Sequence, residues 1–586
     1  EAIRNTQEIS SRLKYEMKDL GYKFPPYPVP IGETMDSFLR RRTEEGARVR
    51  FSKYDKKYKE QVDRELRLIQ KLELAGYFLI VWDIMEFCRK EAILAQGRGS
   101  AANSAVCCAL GITSVDPIEY ELLFERFLSE NRGEWPDIDI DLPSGDEREK
   151  VIQHVYERYG KLGAAMTANV ITYRSRSAIR EVGKVLGFDE ETTGKLSALS
   201  PMWGWQGPDE NIEKQFREAG LDLAHPRVRK FFELVNGLQN LPRHLGQHSG
   251  GMVICQGRLD SVVPLENASM PDRVVVQWDK EDCADMKIIK IDLLGLGMMA
   301  VLRDTFALIQ KHEQKEFTLK NIPEGDNAVY ETLQRADTIG TFQVESRAQQ
   351  ASLPRMKPER FYDIVVQVAI IRPGPIVGKM MNPYLQRRQK REAPDCPHPS
   401  LQPILARTLG VPLFQEQLLR MAMIAAGFTG SQAEELRRAM GFKRSEERMK
   451  DIEKKLRDGM AKKGITGEAQ ETIVLSITSF ARFGFPESHA ISFALLAYAS
   501  TYLKCHHLAA FTCALLNNQP MGFYHPAVLI KDAQRHGLRV LPIDVNRSDW
   551  KCTVEEGHLR LGLCYARGVN KSAAKAVVAA IMFQSE

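Results

Sequence analysis

The stretch 134–143, EWPDIDIDLP, sets Asp137, Asp139 and Asp141 at alternate positions, with Ile138, Ile140 and Leu142 between them. In an extended strand alternate side chains face opposite ways. One face is then aliphatic, and the other carries carboxylates roughly 6.5–7 Å apart. Asp is disfavoured in strands, and a row of like charges repels itself, so something positive must stand there. A second stretch, 288–296, IIKIDLLGL, repeats the design: Ile289, Ile291 and Leu293 share one face, Lys290 and Asp292 the other. If the two strands pair, Asp292 joins Asp139 and Asp141 in one cleft. No His or Cys stands near them in sequence. Such a set suits a hard, oxygen-seeking ion, Mg²⁺ above all. Two such ions clamp the attacking and leaving oxygens of a phosphoryl transfer. A solvated acidic face is the plain alternative for the first strand alone; the second strand, with its Lys-x-Asp, moves the reading toward metal.

The segment GRGSAANS (97–104) supplies a complement. Gly97 and Gly99 let backbone N–H groups approach a phosphate, and a helix that follows would point its positive end at the same place. Arg98 belongs to the same turn, and Ser100 and Ser104 can donate hydrogen bonds. No GK[ST] follows, so this is not a Walker loop, and a tight turn with a helix cap explains the motif equally well by itself. Between this turn and the acidic strand lie Arg126 (FERF) and Arg132 (ENRGEWPD). With Lys290 they could hold a triphosphate by charge-assisted hydrogen bonds; surface ion pairs are the plain alternative. Phosphate cradle, acidic strand and second acidic strand with a Lys together are what nucleotidyl transfer requires.

These residues need a scaffold. Charged amphipathic helices are expected at 8–22 and 53–76, a buried helix or strand-helix element at 75–90, and a helix at 146–160. A polar helical section spans about 170–240, followed by short strands at 248–254 and 273–282. From 300 to 545 the chain reads as largely helical, with turns at RPGP (372–375) and GFPESH (484–489) and a basic helix at 433–464. The end, 561–582, resembles the first half of a helix-hairpin-helix. With 586 residues the chain is too long for one ordinary core. Its 44% hydrophobic and 27% charged content is that of a soluble globular protein, and no apolar run reaches the ~18–20 residues that cross a bilayer. The net charge of +5 neither demands nor excludes nucleic acid. Ten scattered cysteines indicate a reducing cytoplasm. KCHH (504–507) has no CxxC partner and reads as helix surface rather than a zinc site. The lack of an initial Met or signal pattern suggests the interior of a longer chain.

Motifs in fixed order complete the picture: GRGSAANSAVC, LLFERFLSENRGEWPDIDIDLP, KIDLLGLGMM, FQVESRAQ, AIIRPGPI, FQEQLLRMA, LRRAMGFKR and GFPESHAISFALLAY. They resemble the bacterial C-family DNA polymerases, the DNA polymerase III alpha subunit type. RHLGQHSGGMVI, VVQWDKED, ESRAQQASLPRMKPERFYDIV and NNQPMGFYHPAVLIKDAQRHGLRVLPIDVNRSDW are closer to the error-prone branch. The resemblance covers nearly the whole chain. It implies an α+β, multidomain fold with a DNA polymerase beta-like nucleotidyltransferase palm, a mixed sheet with helices, at 1–170 and 245–297. It further implies an inserted helical thumb (171–244), large mainly helical fingers (298–545) and the truncated start of a helix-hairpin-helix region (546–586). The family's N-terminal PHP domain and C-terminal OB-fold would lie outside this chain.

Carried over residue by residue, the resemblance makes Asp139, Asp141 and Asp292 the catalytic ligands of two Mg²⁺ ions, with Asp137 a less favoured edge position. It puts Gly97, Arg98, Gly99, Ser100, Ser104, Arg126, Arg132, Lys290, Arg372 and His489 near the incoming nucleotide. Turn support is the alternative for Arg372, and a helix-start hydrogen bond for His489. Arg174, Arg176 and Arg180 would meet duplex phosphates. Arg437, Arg438, Lys443 and Arg444 would face either solvent or the template. Primer-template DNA, dNTP, a sliding clamp and mutagenesis accessory proteins are the implied partners, with no membrane and a cytoplasmic location.

The expected activity is template-directed, DNA-dependent nucleotidyl transfer from dNTP to a primer 3′-OH, of the error-prone, translesion type. Three alternatives stay open: a replicative alpha-type polymerase, a two-metal nuclease or phosphohydrolase, and a catalytically silent DNA-binding subunit. The nuclease would usually have His among its ligands.

Overall fold

The computed structural model describes residues 2–14, 20–129, 135–199, 216–371, 377–441, 446–480, 484–574 and 576. Two compact units are present. One comprises Glu1–Tyr22, Lys161–Val253 and Gly257–Ile288; the other comprises Lys23–Gly160, Ile254–Gln256 and Ile289–Glu586. The strands, in chain order, are β1 (Gln96–Arg98), β2 (Ile138–Pro143), β3 (Ala164–Thr172), β4 (Pro242–Ile254), β5 (Leu265–Asn267), β6 (Val274–Val276), β7 (Lys290–Leu296), β8 (Val540–Leu541), β9 (Thr553–Glu555) and β10 (His558–Arg560).

In the smaller unit the strand order is β4-β3-β6-β5. β3 runs parallel to β6, and β6 antiparallel to β5. The expected strand at 248–254 starts earlier, at Pro242, and the expected strand at 273–282 shrinks to β6. Asp279 ends it by capping the helix Lys280–Asp285, accepting from the N–H groups of Glu281 and Asp282. The helices Ser175–Val185, Glu190–Leu199 and Pro226–Leu238 occupy the section read as helical. Ala178, Ile179, Val182, Phe231 and Val235 form their core.

The larger unit holds β1, β2 and β7. β1 pairs antiparallel with β2, and β2 parallel with β7. Ile138, Ile140, Leu142 and Leu293 are wholly buried, and Ile291 is nearly so. The helices Asp146–Tyr159 and Gly297–Glu313 pack against β2. The element at 75–90 is one helix, Ala75–Lys90, buried along most of its length. Beyond Gly297 the unit is mainly helical, as expected from the sequence. Its axis is the helix Glu487–His506, buried on nearly all sides. Against it lies Phe361–Ile370, whose residues from Tyr362 onward are all buried. The basic stretch at 433–464 forms two helices, Gly430–Gly441 and Glu446–Lys462. A small sheet of order β8-β10-β9 follows. All ten cysteines are unpaired. Among the described residues no helix is long and apolar enough to cross a membrane.

Candidate active site

The β2–β7 register sets Asp139 directly opposite Asp292. Both strands bury their aliphatic faces, so their acidic faces coincide. One carboxylate oxygen each from Asp137, Asp139 and Asp292 lie within 4.8 Å of one another. Such a cluster needs counter-charge, and two cations supply part of it. Lys290 Nζ donates to both oxygens of Asp137 (2.9 and 3.1 Å) and to Asp292 Oδ2 (2.7 Å). Arg98, opposite Asp139 on β1, has its Nε 3.7 Å from Asp139 Oδ2 and 3.4 Å from Asp141 Oδ1. Four carboxylates thus share two cations.

The residual repulsion shows in the acidities. Asp139 is pushed up to about 7, first by burial, then by the charges of Asp137 and Asp292, against the pull of Arg98 and Lys290. Burial raises Asp141 to about 6, against the pull of Arg98. For Lys290, burial favours the neutral amine, but the charges of Asp137 and Asp292 outweigh it and its pKa is raised. Two buried oxygens, Asp141 Oδ1 and Asp292 Oδ1, accept no hydrogen bond, and the buried Arg98 Nε donates none. Buried polar atoms are normally satisfied. Unsatisfied carboxylate oxygens around an all-oxygen cluster fit a hard divalent cation.

The GRGS turn adjoins this cluster. A Cβ on Gly97 would come 2.7 Å from the carbonyl oxygen of Ile112, and Gly99 has φ +67°. Both positions therefore require glycine. Ser100 Oγ donates to the carbonyl of Asp137 (3.2 Å), tying the turn to the acidic strand. The helix that follows corrects one expectation. Its N-terminus is not open to a phosphate, because the buried Glu65 already accepts from the N–H groups of Ala105 and Val106 (3.0 Å each). Ser104 is fully buried, donates to Glu65 Oε2 (2.7 Å) and caps the helix. Glu65 has its pKa raised by burial, against these hydrogen bonds. Its signal was a carboxylate on the apolar stripe of Val62, Leu66 and Ile69 in the helix Lys56–Lys71.

Comparison with known proteins bears on this geometry. Residues 37–295 match the bacterial DNA polymerase III alpha NTPase domain. Residues 298–464 match the finger domain of the bacterial DNA polymerase III alpha subunit, and residues 537–582 a helix-hairpin-helix motif. The first two matches are to domains of one protein type, the DNA polymerase III alpha subunit. It is 47% identical to an error-prone DNA polymerase of Alkalilimnicola ehrlichii, over 99% of this chain and 57% of that protein. It is 48% identical to one of Methylococcus capsulatus, over 94% of this chain and 52% of that protein. With error-prone DNA polymerase 2 of Rhizobium meliloti it shares 46% identity, over 99% and 54%. The chain spans a little over half the length of the curated relatives it matches.

The NTPase-domain match contains both acidic strands and the GRGS turn, and the remaining expected site residues distribute as follows. His489 packs against Phe493, ring centroids 4.2 Å apart and planes tilted by 44°, and the Arg98 guanidinium lies over the Phe493 ring at 5.6 Å. Burial, then the charge of Arg98, lowers the His489 pKa to about 4, so the ring is neutral at physiological pH. The GRGS turn and this helix are also joined by Asn103, which donates to Ser488 Oγ (3.0 Å). Phe493 had no motif to announce it in the sequence; apolar residues on buried helices are ordinary. Arg126 donates to Gln415 Oε1 (3.2 Å) and faces the buried Glu416, whose carboxyl burial raises to about 7 against the pull of Arg126. Arg132, Arg372, Lys443 and Arg444 lie outside the described residues, as does the side chain of Arg438.

Arg437 donates to the buried Glu434 (2.7 Å), so its guanidinium is paired within its own helix. In the smaller unit, Arg174 donates to Asn240 (2.6 Å) and Arg180 is exposed on the helix Ser175–Val185. A second acidic group, Asp337, Asp532 and His536, also has closely spaced ligand atoms. It already contains its cation, since the buried Lys504 Nζ lies 3.0 Å from Asp337 and 2.9 Å from Asp532. The neighbouring His506 and His507 pair with Asp326 and Glu313, which leaves KCHH a structural segment.

Proposed function

We propose that this chain is the core of a template-directed DNA polymerase of the error-prone type, extending a primer on template DNA with dNTPs. The observation that carries the reading is the in-register pairing of Asp139 with Asp292, flanked by Asp137 and Asp141 and adjoined by the GRGS turn. The domain matches and the names of the relatives support both the polymerase class and its branch. Residues 1–170 and 245–297 would serve as palm, 171–244 as thumb, 298–545 as fingers and 546–586 as the start of the helix-hairpin-helix region.

Asp139 and Asp292 are the carboxylates best placed to hold Mg²⁺, with Asp137 and Asp141 completing the sets on either side. When bound, the two ions would lower the pKa of the primer 3′-OH and neutralise charge on the leaving pyrophosphate. The primer 3′-oxygen bonds to the α-phosphorus of the dNTP, the bond to pyrophosphate breaks, and the hydroxyl proton leaves to solvent. Gly97, Gly99 and Ser100 offer close backbone approach and a hydroxyl to the triphosphate. Arg98 and Lys290 offer charge, and Arg126, Arg132, Arg372 and His489 complete the proposed nucleotide set. Arg174, Arg176 and Arg180 would contact duplex phosphates. Among the described residues no His stands with the clustered carboxylates, which disfavours the nuclease reading.

The test is primer extension on undamaged and abasic templates, comparing the parent with Asp139→Asn. The parent should extend both templates, with frequent misincorporation. The variant should fall by about a thousandfold or more while retaining its circular dichroism spectrum. Extension by the variant at parental rate, or shortening of the primer by the parent, overturns the proposal.

A further inference from the structure

Arg98 occupies an unusual position for a nucleotide-binding residue. It faces the carboxylates rather than open space, with its Nε between Asp139 and Asp141. That contact is imperfect. Arg98 Nε and Asp141 Oδ1, 3.4 Å apart, are both buried and make no hydrogen bond. The guanidinium therefore acts there mainly as charge. Its other face lies over Phe493, and that ring is fixed by His489 at 4.2 Å and by the edge of Phe342 at 5.0 Å. Because His489 is neutral, it leaves Arg98 beside the ring without repelling it. Arg98 is thus held from two sides, by carboxylates on β2 and by aromatic rings on the helix Glu487–His506.

We propose that Arg98 is an internal counter-ion that stands between Asp139 and Asp141 and yields to a divalent ion, with Phe493 and His489 as positioning residues that set how readily it leaves. The inference rests on the metal-binding reading of the preceding subsection. A cation joining Asp139 to Asp141 and the Arg98 side chain compete for the same oxygens. Binding of the ion drives the guanidinium off both the carboxylates and the Phe493 face, leaving any incoming phosphate as its partner. The same side chain thereby screens the carboxylates before metal arrives and is released toward the triphosphate afterwards. A residue serving only to support the strand would act in the opposite sense: its removal would loosen the metal site.

The test is direct Mn²⁺ binding to the full chain, followed by the electron paramagnetic resonance signal of free Mn²⁺, with neither DNA nor nucleotide present. Arg98→Gln should tighten Mn²⁺ binding by roughly tenfold, the scale of removing one cation from a partly exposed carboxylate pair. Phe493→Leu should tighten it by about two- to fivefold, the worth of a cation–π contact. Phe493→Tyr, which keeps the ring face, should bind as the parent does. Phe493→Leu carries the test if Arg98→Gln does not fold. Unchanged or weaker binding in Arg98→Gln, or in Phe493→Leu, overturns the counter-ion role. Asp292→Asn separates this from the larger reading. If it abolishes binding while the other variants match the parent, the counter-ion role alone fails. If it leaves parental binding untouched, the metal site fails as well.

Discussion

Replacing Lys290 with Met removes the ammonium that joins Asp137 to Asp292 and leaves the aliphatic stem in place. The two contacts, 2.9 Å to Asp137 and 2.7 Å to Asp292, are each worth about 6 kcal/mol gross at an effective dielectric near 20. The ammonium is almost wholly buried, so its own desolvation offsets much of that. Breaking a buried pair from one side typically costs about 3–5 kcal/mol. Two features place this case at the lower end. The Asp137 side chain is 31% exposed, and Asp139 can take up a proton near neutrality to relieve the remaining repulsion. A loss of about 3 kcal/mol, with a urea slope of about 3 kcal/mol per molar, lowers the midpoint by about 1 M. Urea denaturation of the metal-free protein near pH 8, followed by tryptophan fluorescence, measures it. Adding Mg²⁺ should restore more of the midpoint in the variant than in the parent, because the uncovered carboxylates have lost a competitor. A midpoint within about 0.2 M of the parent, with an equal response to Mg²⁺, would refute the claim that Lys290 neutralises this cluster.

Two more outcomes follow from the same contacts. Asp139 has its pKa raised to about 7, so its stabilising contribution is complete below the unfolded value near 3.9 and is lost as pH rises through the folded value. Relative to Asp139→Asn, the metal-free parent should lose thermal stability between about pH 4 and pH 7, and saturating Mg²⁺ should reverse the trend; a constant difference across that range contradicts it. Glu65→Ala strands the donors of Ser104, Ala105 and Val106, at a cost of about 2–4 kcal/mol. Thermal denaturation of that variant at the parental temperature would show that the cap is dispensable.

The acidic strands were legible because two signals coincided in them. A period of two placed aliphatic and acidic faces on opposite sides, and the repeat of that design at Lys290 and Asp292 implied a partner strand. The register that puts Asp139 against Asp292 follows once both aliphatic faces are buried. What the pattern did not reveal was how the charges are shared. All three strand carboxylates lie on one face, yet Asp137 joins Asp139 and Asp292 while Asp141 turns to Arg98. That division depends on β1, a three-residue strand with no apolar alternation to mark it. The GRGS turn was legible from its glycines. The occupant of the following helix end was not, because Glu65 reaches it across a tertiary contact. Phe493 was hidden for a similar reason: its meaning comes from the guanidinium over its ring, not from its place in an apolar helix. The two-helix form of the basic segment was likewise not marked, since no Pro interrupts 433–464.

The central claim is that carboxylates from two separated strands jointly hold divalent cations. Anomalous X-ray scattering from crystals soaked in Mn²⁺ tests it most directly. The account predicts a peak within about 2.3 Å of carboxylate oxygens of both Asp139 and Asp292, and its loss in Asp292→Asn. A peak only at Asp337, Asp532 and His536, or none between β2 and β7, would contradict it.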